Sequence, residues 1–200
     1  RLFSVFFSKI DVILLNLLSS SYSAGIFAAA SRMTLLFAMV VSSLGSVVNP
    51  RFSAFETKAE ALVYIKKLFF LITGVSVIVL ICTTLARQIV LLVFGVNFSD
   101  SIFIFQLLSL SMIPFLYSVI FTATILYTFH KTSYYALITF IQFCTVLIID
   151  LLFIPKIGVY APVLASAFSN LLVFCLSALK LKQLFKNEEI SKQVVFKDAP

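Results

Sequence analysis

The sequence predicts an all-α fold, a polytopic membrane helix bundle of about six transmembrane helices. Three observations predict it. First, 62% of the residues are hydrophobic and only 12% are charged, with a mean hydropathy of +1.13. Soluble domains carry about 25% charged residues, and a soluble core of this size leaves too much surface exposed to hide so apolar a chain. Lipid removes the difficulty by solvating the outer faces. Second, the apolar residues come in runs near the 20 or so needed to cross a hydrocarbon layer. Third, the basic residues gather in alternate connections between those runs.

The runs take the following order. Residues 2–18 form the first span, with Lys9, Asp11 and Asn16 inside it, and the serine-rich stretch 19–23 makes a short polar turn. Residues 24–48 form the second, carrying Arg32 and closed by Asn49 and Pro50. Residues 51–67 read differently. Phe52, Phe55, Ala59 and Leu62 recur at helical spacing against Glu56, Lys58, Glu60, Lys66 and Lys67, which predicts an amphipathic helix at the membrane surface. Residues 68–86 form the third span, and 89–94 are too short to cross.

Residues 102–129 form the fourth span, where Pro114 removes a backbone donor and is expected to kink the helix. Residues 134–154 form the fifth, with Gln142 and Asp150, and 155–158 a tight turn. Residues 159–181 form the sixth. The bundle thus covers 1–181, and 182–200 is a polar tail. The chain opens at Arg1 inside an apolar stretch, so it is expected to be part of a longer protein.

Orientation follows from the positive residues. Alternating the spans places Arg1, Arg51, Lys58, Lys66, Lys67, Lys131, Lys180, Lys182, Lys186, Lys192 and Lys197 on one side, against Arg87 and Lys156 on the other. The rich side is expected to be cytoplasmic, with both ends of the chain there. The net charge of +7 is therefore a topology signal rather than a phosphate-binding face, and no nucleic-acid partner is expected.

The residues for soluble catalysis are missing. The single histidine, His130, falls in a loop, and no metalloprotease, hydrolase or nucleotide-binding motif occurs. Cys82, Cys144 and Cys175 lie far apart in apolar runs and read as small buried residues. No cofactor, metal site or catalytic residue is implied.

What stands out is charge inside the spans. Each such group costs about 2.5 to 3.5 kcal/mol at mid-helix on the milder scales, so it faces a bundle interior, a wet cavity or a partner. Counted from Ser21, Asp11 and Arg32 reach nearly equal depth on two antiparallel helices, and an ion pair across that hairpin is expected. The plain alternative is a self-neutralising pair that only fixes packing. Lys9 points elsewhere on its helix and suits an anionic ligand, unless it snorkels to the interface. Asp150, close to the end of its span, is expected at the outer interface, with coupling as the sharper role. Ser166, Asn170, Val173 and Ser177 form a small polar stripe, which predicts close helix packing before it predicts a cavity lining.

The order of landmarks resembles the C-terminal half of polysaccharide flippases of the Wzx type, in the superfamily that also holds the multidrug and toxin exporters. The residues that carry the resemblance are Asp11; the stretch from Gly25 to Arg32; Asn49, Pro50, Arg51, Phe52 and Ser53; Leu92 to Gly95 with Asn97, Phe98 and Ser101; and Ile154 to Gly158. It covers nearly all of the chain. One departure is Val159-Tyr160-Ala161-Pro162, where family members often carry a second glycine and paired alanines.

The resemblance implies one bundle of a two-bundle, MATE-like transporter around a central cavity. It also implies a substrate, an undecaprenyl-diphosphate-linked oligosaccharide such as an O-antigen repeat unit, moved across the bacterial inner membrane by alternating access. Lys9 and Arg32 become headgroup candidates, and Asp11 and Asp150 coupling or ion-pair candidates. The implied partners are the lipid-linked oligosaccharide, membrane lipids and other polysaccharide assembly proteins. A cation-coupled multidrug exporter of the same superfamily is the first alternative. A membrane-embedded glycan polymerase is a weaker one, because every outer loop is short, and a purely structural subunit fits poorly with charges inside the spans.

Overall fold

A computed structural model describes residues 10–52 and 58–186. The described residues form helices joined by short turns, and no strand occurs among them. They are α1 (Ile10–Leu18), α2 (Ser21–Phe52), α3 (Lys58–Thr84), α4 (Ala86–Phe94), α5 (Ser101–Ala123), α6 (Thr132–Ile157) and α7 (Tyr160–Lys186). A 3₁₀ turn, Val96–Phe98, leads into α5, and α5 runs on into a wide π turn, Thr124–Thr128.

Five helical stretches are long and apolar enough to cross a bilayer: Ser21–Ser43, Glu60–Thr84, Ser101–Thr128, Thr132–Ile157 and Tyr160–Lys186. With α1 at the start, the chain is an all-α polytopic bundle of about six helices.

The expected surface helix over 51–67 is not a separate element. Lys58 to Lys67 are the first turns of α3, and residues 53–57 lie outside the described residues. The reason is a single buried stripe. Ala61, Ile65, Leu68, Ile72, Ser76, Val79 and Thr83 follow one another at helical spacing, so the charged segment and the apolar span share one packed face. The fifth span also runs past its expected end, because α6 stays helical through Pro155 to Ile157.

The helices alternate in direction. At one end Tyr22 bonds Asp100, Ser101 Oγ donates to the Ile26 carbonyl, and Gly158 sits against Ser19. At the other end Thr128 Oγ1 donates to the Phe52 carbonyl, the Phe129 and Phe185 rings meet edge to face, and Lys180 lies over the Tyr134 ring. The turns are set by particular residues. Gly95 (φ 81°) closes α4, and Gly158 (φ 58°, ψ −128°) closes α6. Glycine reaches such angles without the steric cost a Cβ imposes. Pro162 falls in the first turn of α7, where no backbone donor is lost.

α5 is the centre of the bundle, packed against α7, α2 and α3, with α6 on α7 and α1 on α2 and α6. Buried apolar residues divide into a cluster around Leu15, Phe27, Ile104 and Ile154 and a second around Phe52, Val79, Leu116 and Phe129. Outside them the bundle inverts the usual pattern. Of the five long stretches, α6 has the highest mean hydropathy, 2.5, and is also the least buried, and Phe70 on α3 is 84% exposed. Apolar surface of that extent fits lipid as solvent. The chain is a multi-pass membrane protein.

Candidate functional site

The site is built from two carboxyl groups. α1 and α6 run side by side in the same direction, and each ends in the same cluster of turns at Ser19 and Gly158. Asp11 on α1 and Asp150 on α6 bring their side chains within hydrogen-bonding range of each other. Asp150 is fully buried, and neither of its oxygens has a donor. Two ionised carboxylates offer acceptors only, so a bond between them forms only when a proton lies between them. A small cation placed there would likewise complete the oxygens of both.

The burial of Asp150 overturns its expected place at the outer interface. The helix continues to Ile157, which draws Asp150 inward, and Ile154 next to it is buried as well. The expected partner of Asp11 changes too. Arg32 is exposed, while Ala30, Met33 and Thr34 beside it are buried, so its side chain leaves the packed face of α2. Among the described residues no basic side chain pairs with Asp11 or Asp150. Lys9 lies outside the described residues.

Asp11 also lines an open cleft of about 670 Å³ between α1 and α6, with Tyr135, Thr139, Gln142 and Val146 on the opposite wall. The cleft therefore reaches the carboxyl pair from the side of Asp11, with Asp150 behind it. A second cavity, of about 310 Å³, lies between α2, α5 and α6 and shares Tyr135, Thr139 and Gln142 with the first.

Behind these cavities a polar relay crosses three helices. Pro114 withdraws the N–H that would bond the Leu110 carbonyl. One residue from that carbonyl, Asn170 Nδ2 on α7 donates to the Ser111 carbonyl at 3.0 Å, and Gln142 Nε2 on α6 donates to Asn170 Oδ1 at 3.3 Å. Asn170, Val173 and Ser177 are buried and Ser166 partly so, as close packing of the small polar stripe predicts. His130 is exposed in its loop at φ 52°. The cysteines depart from expectation: Cys82 and Cys144 are half-buried and Cys175 is exposed, all as free thiols.

No protein-family model, curated protein or solved structure matches the chain. What the fold and the site define is a class: a multi-pass helical membrane protein in which a buried carboxyl, Asp150, faces a half-buried one, Asp11, beside an open cleft.

Proposed function

We propose that this chain forms one bundle of a transporter that flips an undecaprenyl-diphosphate-linked oligosaccharide across the bacterial inner membrane by alternating access. The carboxyl pair Asp11–Asp150 couples that movement to a cation gradient. The observation that carries the reading is the pair itself. A fold gains nothing in stability from two acid groups that face each other in an apolar bundle, one of them with no donor to either oxygen. A transporter gains a site whose charge changes when a proton or monovalent cation enters. The substrate class rests on the sequence resemblance. The side richer in Lys and Arg is cytoplasmic on this reading, and the chemistry is movement rather than catalysis.

Arg32 keeps its place as a headgroup contact because its exposed guanidinium is open to a diphosphate, which Arg binds through paired N–H donors. The same superfamily's drug exporters are the second reading, since a carboxyl pair beside an apolar cleft would also serve a lipophilic cation.

The test is complementation in a strain that lacks its own copy of the protein. The wild-type protein restores surface polysaccharide, whereas Asp11→Asn and Asp150→Asn accumulate in the membrane without restoring it. Unchanged surface polysaccharide in the deletion strain, together with loss of efflux of a lipophilic cation, replaces the flippase with the drug exporter.

A further inference from the structure

Two short polar ladders line the 310 Å³ cavity. Ser118 and Thr122 stand one turn apart on α5, and Tyr135, Thr139 and Gln142 share one face of α6 at helical spacing. The two helices are antiparallel about the turn at His130 and Lys131, so residues equally far from it along the chain lie at equal depth. At about 1.5 Å per residue, Thr122 and Thr139 lie roughly 12 Å in, and Ser118 and Gln142 roughly 18 Å in. Tyr135 sits nearer the turn, at the mouth. The same three side chains of α6 also line the cleft that holds Asp11, so one row borders both voids. Past Gln142, Val146 carries the wall of the cleft on toward Asp11.

The plain account of such hydroxyls is that they serve their own helices. Ser118 Oγ donates to the Phe115 carbonyl at 2.7 Å, Thr122 Oγ1 to Ser118 at 2.8 Å and Thr139 Oγ1 to Tyr135 at 2.9 Å. That account does not cover Tyr135 and Gln142. Among the described residues the Tyr135 hydroxyl has no hydrogen-bond partner, and Gln142 spends one N–H on Asn170 and leaves its other N–H and its carbonyl oxygen open. Inside a span, hydrocarbon offers these atoms nothing, and each unmet polar group is costly. Water offers both donors and acceptors, and the hydroxyls keep lone pairs to receive it. Much of the remaining wall is apolar, yet 310 Å³ is far more than the roughly 30 Å³ that one water occupies.

Resting on the function proposed above, we infer that the row Tyr135–Thr139–Gln142 lines a water-filled half-channel that carries the coupling cation between the lysine-rich end of the bundle and Asp11. Tyr135 stands at its mouth, and Gln142 is its innermost polar step. On α6 the stretch from Leu151 to Ile154 is wholly apolar, so along this helix the polar row leads to one side only.

The test scores accessibility in sealed vesicles and needs no transport. Every native cysteine of the full-length protein, Cys82, Cys144 and Cys175 among them, is replaced by alanine. Single cysteines are then placed at Thr122, at Thr139 and, as the lipid-facing control, at Leu137, which is 51% exposed and lines neither void. The probe is a membrane-impermeant methanethiosulfonate that carries a quaternary ammonium. The thiolate is the reactive form and apolar surroundings suppress it, so Thr122→Cys and Thr139→Cys are expected to react at least about tenfold faster than Leu137→Cys in inside-out vesicles. In right-side-out vesicles all of them stay unlabelled. Asp11→Cys is expected to react from the inner side as well, and to slow by a similar factor when Thr139→Trp plugs the row but not when Leu137→Trp is added. Labelling of Thr122→Cys and Thr139→Cys no faster than Leu137→Cys makes the row a dry helix contact and overturns the inference. So does labelling from the outer side alone, or an Asp11→Cys indifferent to the plug. A labelled row in a protein whose Asp11→Asn variant transports normally overturns the proposed coupling, and with it the cation, while the water path stands.

Discussion

Asp11 and Asp150 lie at one depth on neighbouring helices, each eight residues before the residue that closes its helix, Ser19 in one case and Gly158 in the other. At about 1.5 Å per residue both sit roughly 12 Å below the shared turns. Equal depth and parallel direction make the two carboxyls face each other. A pair of acceptors so placed has no bond without a proton or cation, and stability and function then respond in opposite ways when one acid is replaced.

Asp150→Asn separates the two. The amide supplies an N–H that Asp11 accepts, in a space of nearly the same volume. Stability is expected to hold or rise by about 1 kcal/mol, the net worth of an ordinary hydrogen bond. Transport falls by at least about tenfold, because the pair no longer changes its charge when a cation enters. Thermal unfolding of the purified protein and accumulation of surface polysaccharide read the two effects. A variant both less stable and fully active contradicts the pairing.

Arg32 provides the contrasting case. It is exposed and makes no pair with Asp11, so the two are expected to act independently. In a double-mutant cycle on stability, Asp11→Ala with Arg32→Ala should add within about 0.5 kcal/mol. Asp11→Ala with Asp150→Ala should depart from additivity by more than that, because either change alone already relieves the contact. Strong coupling to Arg32 instead restores the hairpin ion pair.

Five of the six spans were legible in the sequence because lipid demands long apolar runs, although the third begins at Glu60 rather than at residue 68. The segment over 51–67 misled because charge at a helix end looks like a separate amphipathic helix. Its buried stripe through Ala61, Ile65 and Leu68 continues into the span. The carboxyl pair was half legible. Depth counted from the turns places Asp11 level with Arg32 and equally level with Asp150. Depth alone does not tell which helix neighbours α1 on the side that Asp11 faces, since that depends on contacts distant in sequence. The second cavity was hidden for a similar reason, because Thr122 and Thr139 line it together only when α5 and α6 pack.

Gly158 holds the turn on which the depth match depends. At φ 58° and ψ −128° its backbone lies where residues with a Cβ are strained. An added Cβ would rest 3.6 Å from Ser19 Oγ, an ordinary contact. The cost of Gly158→Ala is therefore backbone strain, of order 1–3 kcal/mol, rather than a clash. Membrane accumulation or thermal stability should fall by that amount, and adding Ser19→Ala should not recover it. Recovery by the second change shows the cost to be steric.

The relay at Pro114 gives the sharpest chemical contrast. Asn170 is buried and joins α7 to α5 through the Ser111 carbonyl, and it receives an N–H from Gln142 on α6. Asn170→Leu removes both bonds with little change in volume. The Ser111 carbonyl stays close to its own helix, and Gln142 loses its acceptor beside a cavity that admits water. The expected cost is about 1–2 kcal/mol. Asn170→Asp keeps the shape but replaces the donor with an oxygen aimed at a carbonyl. An ionised aspartate there repels the Ser111 carbonyl, and a protonated one gives up the acceptor role or the donor geometry. Asp is thus expected to destabilise more than Leu, although it is the more conservative change in shape and polarity. Thermal unfolding in one detergent, at neutral pH, ranks the three proteins as wild type above Asn170→Leu above Asn170→Asp. If aspartate is tolerated better than leucine, the amide is not donating to Ser111, and the helices at the proline are held together by packing alone.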